Sequence, residues 1–365
     1  MKSFINQIQP WIGEEEAEQL LRVTDSTFVT EHKLTKEFED AIKELTGSKH
    51  AITMSNGTVA LFCCLKSLGI GPGDEVIVPD MTFIATANSI ILTGATPVFC
   101  DIELDDLSLS VEKIKQYITK NTKAIMPVHL YGGVAKIKQL KEVCEEYGLF
   151  LVEDAAQGVG VRYESKHVGT FGDLGVLSFY GNKTITCGEG GVILTNDDEL
   201  AATCYRLKNH GRDTKGTFIH THIGFNFAFT EMQAAIGIAQ LNKLNKIIAR
   251  KKEIYDKYVT ELSGIKNFHP LIFKDEISPV YWFTSFFTDE KLELIKYLNE
   301  KKIQTRQFFY PLHKQPCYEF MNLDASNFTN SSTSFAKGVS LPSSYDLTEQ
   351  QQDYIISCIK DYYKR

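Results

Sequence analysis

The 365-residue sequence lacks both a long apolar run and an excess of basic residues. Its 39 Lys and Arg residues face 46 Asp and Glu residues, and the formal net charge is −7. No stretch approaches the ~20 apolar residues of a membrane span, and the N-terminal segment MKSFINQIQPWIGEEEAEQ has no signal-peptide core. Because a basic stripe is also missing, we expect a cytoplasmic protein that binds neither membranes nor nucleic acid.

The eight cysteines contain no CxxC pair. Their scatter predicts reduced, buried thiols rather than a disulfide framework or a structural zinc site. The tripeptide His220-Thr221-His222 could be read as a metal pair, but no acidic or cysteine ligand lies at a matching offset. We therefore expect no metal.

Strand-like and helix-like segments alternate from residue 50 onward. The runs HAITM, DEVIVP and TPVFCDI are each followed by a helical pattern, and LFLVEDAA comes later. Short apolar runs of this kind suit strands that helices cover on both faces. They predict an α/β fold with a doubly wound, mostly parallel sheet. The runs GVLSFY and GVILTN are only a loop apart, so that pair is predicted to be antiparallel.

A long helical pattern from about Thr230 to about Leu262 is expected to bridge two domains. Beyond it, VYWFTSFF reads as a strand, and EKLELIKYLNEKKI and LTEQQQDYIISCIKDYYK read as helices. We predict a large domain over residues 1–240, with an N-terminal arm and helix in 1–45. A small C-terminal α/β domain would cover residues 241–365.

The turn Ser55-Asn56-Gly57-Thr58 follows the HAITM strand and opens a helix. Free backbone N–H groups and the helix dipole make such a turn suitable for a phosphate. Gly57 lets the backbone approach the ligand, and the Ser55 and Thr58 hydroxyls can add hydrogen bonds. An ordinary helix N-cap is the alternative.

The segment Glu153-Asp154-Ala155-Ala156-Gln157 ends the LFLV strand, where open α/β sheets bind ligands. Successive side chains of a strand point to opposite faces, so only one of Glu153 and Asp154 is expected to face a site. A helix cap by Asp154 is the alternative.

Lys183 lies in SFYGNKTITCGEGG, between two strand-like runs. A phosphate-binding P-loop is disfavoured, because Asn182 separates Gly181 from the lysine and no helix follows. A surface lysine in a hairpin loop is the plain alternative. The apolar strands and the aromatic Phe179 and Tyr180 instead favour a desolvated lysine, which is a competent amine nucleophile.

A phosphate at a helix N-terminus, an acid at a strand end and a lysine on an adjoining strand are together what pyridoxal phosphate requires. The lysine forms a Schiff base, and the acid keeps the pyridine nitrogen protonated. Phe83, in PDMTFIAT, could cover one face of the ring.

The motifs SNGTVAL, GDEVIVPDMTFIATAN, VHLYG, EDAAQG, GTFGDLGVLSFYGNKTITCGEGG, FNFAFTEMQAAIG, TRQFFYPLH and LPSSYDLTEQQ occur in this order. Together they resemble the DegT/DnrJ/EryC1/StrS family of sugar aminotransferases. The resemblance implies the aspartate aminotransferase-like fold (fold type I) and the cofactor pyridoxal 5′-phosphate.

The resemblance also implies roles for individual residues. Lys183 would form the Schiff base and move protons, Asp154 would bind the ring nitrogen, and Gln157 would lie on the ring-hydroxyl side. Phe83 would stack on the ring. The implied phosphate contacts are Gly57, Thr58, Ser178 and, across the interface of a homodimer with composite sites, Asn226. Tyr310 and His313, in FFYPLH, would lie near the nucleotide-sugar.

One departure from the family is Ala228, where many members have arginine two residues beyond the asparagine. The missing charge bears on contacts to the substrate's diphosphate or sugar. Cys187, where relatives often have Thr or Ser, is expected to be neutral.

The lysine loop is especially similar to that of the perosamine-forming members. We therefore expect transamination of GDP-4-keto-6-deoxymannose with L-glutamate as amino donor. UDP- or dTDP-linked sugars and a C3 ketone stay open. A sugar dehydratase is disfavoured, because those relatives carry histidine in place of the lysine, and a non-catalytic sensor is disfavoured by the intact Asp154, Gln157 and Lys183.

Overall fold

The computed structural model describes residues 4–213, 216 and 218–364. Its helices are α1 (Glu14–Ser26), α2 (Lys33–Thr46), α3 (Gly57–Ser67), α4 (Ala85–Thr93), α5 (Val111–Ile114), α6 (Ile137–Tyr147), α7 (Asp198–Lys208), α8 (Glu231–Leu262), α9 (Lys291–Glu300), α10 (Thr329–Lys337) and α11 (Glu349–Tyr363). Its strands are β1 (His50–Met54), β2 (Glu75–Pro79), β3 (Thr96–Cys100), β4 (Thr122–Ile125), β5 (Phe150–Asp154), β6 (Arg162–Tyr163), β7 (Lys166–His167), β8 (Leu174–Ser178), β9 (Gly191–Thr195), β10 (His269–Pro270), β11 (Ile277–Ser278), β12 (Thr284–Phe287), β13 (Arg306–Gln307) and β14 (Gly338–Leu341).

A seven-stranded sheet forms the centre of the molecule, in the order β1-β9-β8-β5-β4-β2-β3. Its pairs from β8 to β3 are parallel, and β9 runs antiparallel to both β8 and β1. The predicted antiparallel pair of GVLSFY and GVILTN is therefore confirmed. Apolar side chains from both faces of this sheet form two large buried clusters, as expected for strands covered by helices.

Helix α8 has 32 residues, and a capping box of Thr230 and Gln233 closes its N-terminus. At 1.5 Å per residue it is about 48 Å long. Its first half packs in the cluster of the central sheet, with α1 and α2. Its last turns contribute Ile254, Tyr258 and Leu262 to a separate C-terminal cluster, so the predicted bridging helix is present.

The C-terminal cluster lies on a four-stranded antiparallel sheet in the order β10-β12-β14-β13. The N-terminal arm also attaches here: Ile5 is buried in this cluster and exchanges backbone hydrogen bonds with the 302–304 segment. The sequence predicts the arm as part of the large domain, and no pattern in it indicates these contacts with the C-terminal cluster. The boundary at residue 240 falls inside α8 and stays a prediction.

The strand predicted over VYWFTSFF begins late, at Thr284. Upstream of it, the Trp282 N–H donates back to the Val280 carbonyl (N···O 2.5 Å), which turns the backbone out of the ladder. Gly132, at φ 85°, makes room for this turn, because a Cβ there would lie 1.7 Å from the Val280 oxygen. Within the described part of the chain, no helix is long and apolar enough to cross a membrane.

Candidate active site

A cavity of about 560 Å³ opens where β1, β2, β5 and β8 end. This is the edge at which open α/β sheets bind ligands, and the volume suits a small-molecule site. Six of the residues predicted to bind cofactor line it together with the predicted nucleophile: Gly57, Thr58, Phe83, Asp154, Gln157, Ser178 and Lys183.

The N-terminus of α3 points its first turn at this cavity. The Asn56 side chain caps the helix by accepting a hydrogen bond from the Val59 N–H (3.1 Å). The N–H groups of Gly57 and Thr58 have no acceptor within the helix, as in any first turn. Together with the Ser178 hydroxyl they form a set of donors suited to a phosphate.

Glycines bring these donors close together. A Cβ on Gly57 would lie 3.2 Å from the Ser178 Cβ, so a side chain there would crowd the end of β8. A Cβ on Gly191, at the start of β9, would lie 2.6 Å from the Asn56 carbonyl oxygen. The two glycines therefore allow β8, β9 and the N-terminus of α3 to meet at one point.

Asp154 faces the cavity from the end of β5. One carboxylate oxygen accepts from the Thr86 hydroxyl (2.7 Å), and the other accepts from the Ala156 N–H (3.1 Å). Burial raises the pKa of Asp154, and these hydrogen bonds and the charge of Lys183 oppose the rise only in part. A buried carboxylate of this kind is suited to binding a protonated ring nitrogen.

Glu153 points to the opposite face of β5, as the strand geometry predicts. Its carboxylate accepts four hydrogen bonds, from the His129 Nε2–H and from the backbone N–H groups of Gly169, Phe171 and Gly172. The His129 Nδ1 accepts from the Ala135 N–H, which leaves the proton on Nε2. Burial alone would raise the pKa of Glu153, but the hydrogen bonds outweigh it, and the pKa is lowered.

Gln157 and Phe83 complete the walls beside Asp154. The Gln157 Oε1 accepts from the Tyr131 N–H (2.6 Å), so the Gln157 Nε2 group can donate to a ligand. The Phe83 ring is 54% exposed and lies 6.0 Å from the Phe309 ring, both at the cavity. An exposed aromatic face is available to stack on a planar ligand.

Lys183 is half-buried in the cavity wall, and its ammonium lies 4.4 Å from the centroid of the Trp282 ring. Burial lowers the pKa of Lys183 to about 8, Asp154 opposes this shift, and Arg306 adds to it. Lowering the pKa increases the neutral amine fraction near pH 7, and the neutral amine is the nucleophilic form.

Four predicted site residues do not line the cavity. The backbone N–H of Ser55 donates to the Phe227 carbonyl, and Asn226 is exposed, with its backbone paired to Asn209.

The other two, Tyr310 and His313, are also placed outside the cavity. The Tyr310 ring packs against Phe335, with centroids 5.1 Å apart. The buried carboxylate of Asp80 accepts from both the backbone N–H (2.7 Å) and the Nδ1 (2.6 Å) of His313, which holds the imidazole in the protein interior. Neither Tyr310 nor His313 therefore lines the cavity, and their roles as substrate contacts stay predictions.

Trp282, Arg306 and Phe309 line the cavity and were not anticipated. Arg306 and Phe309 belong to the motif TRQFFYPLH, in which the family resemblance implies roles only for Tyr310 and His313. Trp282 is one of only two tryptophans in the chain, and this rarity was the available signal.

The described residues contain no group of three or more His, Cys, Asp or Glu side chains placed to hold a metal. In the candidate metal pair, the His220 Nδ1 donates to the His210 carbonyl (2.7 Å), and the His222 Nδ1 lies 2.8 Å from the Thr221 hydroxyl.

The site fits pyridoxal phosphate in each of its parts. The glycine-lined cradle at α3 suits the phosphate, the buried Asp154 suits the ring nitrogen, and Lys183 lies beside them with a lowered pKa. Fold and site together define the class as a pyridoxal-phosphate-dependent enzyme.

Comparison with known proteins identifies the family. The model of the DegT/DnrJ/EryC1/StrS aminotransferase family matches residues 10–360, and the chain belongs to this family. It is 40% identical over 364 residues to the GDP-perosamine synthase of Vibrio cholerae, covering 97% of this chain and 98% of the relative.

Solved structures agree with this assignment. S. venezuelae DesV has a TM-score of 0.94 at 29% identity and covers 100% of both chains. Streptococcus pneumoniae Spr1654 in its PLP form has a TM-score of 0.94 at 26% identity, covering 99% of each chain. The predicted aspartate aminotransferase-like fold, the activity of a sugar aminotransferase and the cofactor pyridoxal 5′-phosphate are thereby confirmed.

Proposed function

We propose that the protein transfers the amino group of L-glutamate to the C4 ketone of GDP-4-keto-6-deoxymannose and so forms GDP-perosamine. The observation that carries this proposal is the 40% identity, over nearly the whole of both chains, to a GDP-perosamine synthase. The retained Lys183 disfavours the rival sugar dehydratase.

Pyridoxal phosphate, when bound, supplies an electron sink that stabilises negative charge at the carbon losing its proton. The first turn of α3 and Ser178 would bind its phosphate group. Asp154 would keep the proton on the ring nitrogen. The Lys183 amine, when it is not bonded to the cofactor, would move the proton between the cofactor C4′ carbon and the sugar carbon, and its pKa of about 8 is close to the working pH that such transfer favours.

A panel of GDP-, UDP- and dTDP-linked keto-deoxy sugars, each assayed with L-glutamate, tests the substrate. We expect amination of the GDP-linked 4-ketone with kcat/KM at least about tenfold above the other two. Amination of only a UDP- or dTDP-linked sugar, or of a C3 ketone, would overturn the substrate assignment and leave the aminotransferase class intact.

The variant Lys183→Ala tests the role of the lysine. We expect loss of turnover and of the visible absorbance that a lysine-bound cofactor gives. Lys296→Ala, at an exposed position of α9, is the matched control and is expected to keep both. Normal turnover in Lys183→Ala would contradict the assignment.

We further propose a cytoplasmic homodimer in which Asn226 reaches the partner's phosphate site. Supporting features are the exposure of Asn226 outside its own cavity and the strongly exposed Phe218 and Ile223 nearby in sequence, at 88% and 87%.

Mixing inactive variants tests the composite site. Lys183→Ala mixed with Asn226→Ala should regain activity, because hybrid dimers contain one site with neither lesion. Lys183→Ala mixed with Asp154→Ala should regain none if both residues serve the same chain's site. Equal recovery in the two mixtures would contradict the composite arrangement.

A further inference from the structure

Trp282 joins the segment before β12 to the loop that carries Lys183. Its side chain is 2% exposed, and its indole N–H donates to the Asn182 carbonyl (2.6 Å). The Lys183 ammonium lies over the face of the same ring, 4.4 Å from the centroid. One side chain thus contacts both the backbone before Lys183 and the charged end of Lys183.

Trp282 is itself held from behind by a second lysine. The ammonium of Lys251, in α8, donates to the carbonyls of Trp282 and Ser343 (both 3.0 Å). Lys251 is buried, and burial lowers its pKa to about 7. Because α8, the segment before β12 and the chain after β14 meet at this ammonium, the position of Trp282 is determined by three parts of the molecule.

The indole face matters because Lys183 has few other partners. Among the residues that the structure describes, no carboxylate lies within ion-pair distance of its ammonium; Asp154 acts on it through charge at longer range. An ammonium over an indole face in a desolvated site is stabilised and is held in one direction.

We propose that Trp282 is a positioning residue for Lys183. Its ring face holds the ammonium at the cavity wall whenever the lysine is not bonded to the cofactor, and its N–H fixes the Asn182 carbonyl. The lysine therefore returns to the same place for each proton transfer. This inference rests on the proton-transfer role proposed above for Lys183.

The fluorescence of Trp282 tests the contact without any substrate. The chain has only two tryptophans, and Trp11→Phe leaves Trp282 as the single tryptophan, which is excited selectively at wavelengths that tyrosine does not absorb. The Trp11 ring stacks on Tyr345, which a phenyl ring also allows. In this variant, freed of cofactor, we expect the emission to change with a midpoint near pH 8.

The double variant Trp11→Phe/Lys183→Met identifies the group that titrates. The charged groups facing this region are Asp154, Glu189, Arg306 and Lys251. We expect loss of the transition in the double variant. A transition that persists in the double variant would come from one of the other groups and would overturn the proposal. Emission of Trp11→Phe that does not change with pH would show that Lys183 does not contact the ring, and it too would overturn the proposal. Neither result depends on which sugar is the substrate.

Kinetics of the holoenzyme separate the ring face from the N–H. Trp282→Leu removes both and is expected to lower kcat about 30-fold, whereas Trp282→Phe keeps an aromatic face and should lower it about fivefold. The KM for the sugar should change less than about threefold in both. Equal losses of kcat, or a rise in KM alone, would overturn the positioning role.

Discussion

Glu153 and Asp154 are consecutive acids at the end of one buried strand, yet the two sides of that strand use them differently. On one side, four donors from a loop and from His129 saturate the Glu153 carboxylate. On the other, Asp154 receives two hydrogen bonds and faces the cavity. The pKa of Glu153 is lowered and that of Asp154 is raised, although both carboxyl groups are buried.

At this strand end, one acid contributes to the stability of the fold and its neighbour is available to a ligand. A saturated buried carboxylate stabilises the native state as an anion. An under-satisfied one is destabilised as an anion until a cationic ligand arrives, and the ring nitrogen of the cofactor is such a ligand. We therefore expect replacement of the two acids to have opposite consequences.

The largest effect is expected for Asp154→Asn. It removes the charge that we propose keeps the ring nitrogen protonated, and kcat should fall at least ~100-fold. The same change should raise the stability of the cofactor-free chain by roughly 0.5–2 kcal/mol, because a poorly satisfied buried carboxylate is gone. Steady-state kinetics and denaturant unfolding measure the two quantities, and a fall in stability would contradict the comparison.

Glu153→Gln should have the opposite effects on stability and activity. The amide would direct an NH₂ group at backbone donors, and the stability of the cofactor-free chain should fall by about 2–4 kcal/mol. Turnover per folded molecule should stay within about threefold of wild type, measured with cofactor-loaded protein at low temperature. A loss of activity as large as that of Asp154→Asn would place Glu153 in the chemistry.

The pH dependence of unfolding should distinguish the two acids in the cofactor-free chain. Glu153, with its lowered pKa, contributes stability that is present above its unfolded pKa of about 4.3 and is lost as the pH falls. Asp154, with its raised pKa, contributes stability that is present below its unfolded pKa of about 3.9 and is lost as the pH rises through the folded value. In Glu153→Gln, the stability of the cofactor-free chain should therefore fall less as the pH is lowered than in wild type. In Asp154→Asn, the stability should fall less as the pH is raised through the folded pKa of Asp154. Parallel profiles for both variants would contradict this.

The smallest effect is expected at Gly57, on the cavity side. Gly57→Ala places a Cβ 3.2 Å from the Ser178 Cβ, which the neighbouring chain can accommodate by a small shift. Stability should change by less than about 1 kcal/mol, while the affinity for pyridoxal phosphate falls about tenfold because the phosphate donors move apart. Spectroscopic titration with the cofactor measures the affinity. Gly264→Ala, where an added Cβ meets nothing within 4 Å, is the control.

Much of the site was predictable where its parts are local in sequence. The strand–turn–helix at Ser55–Thr58 and the strand end at Asp154 follow from short patterns, and strand alternation alone indicated that Glu153 and Asp154 diverge. The contacts of Trp282 were not predictable, because it meets Asn182 from 100 positions away.

The position of His313 was not predictable from local sequence either. The motif placed it near the substrate, but Asp80, 233 positions earlier, takes both its backbone N–H and its Nδ1. No local pattern in FFYPLH indicates that partner.

The sequence by itself determined the α/β class, the family and the cofactor, and it predicted the role of Lys183, because each is encoded in residue types at short fixed spacings. Only the tertiary structure decided which acid faces the cavity with fewer hydrogen bonds and which aromatic ring lies beside the Lys183 ammonium. Those properties depend on burial and on hydrogen-bond partners supplied by distant segments. Lys183 is half-buried and Lys251 is buried, and both have lowered pKa values; only their surroundings distinguish the proposed nucleophile from the residue that anchors Trp282.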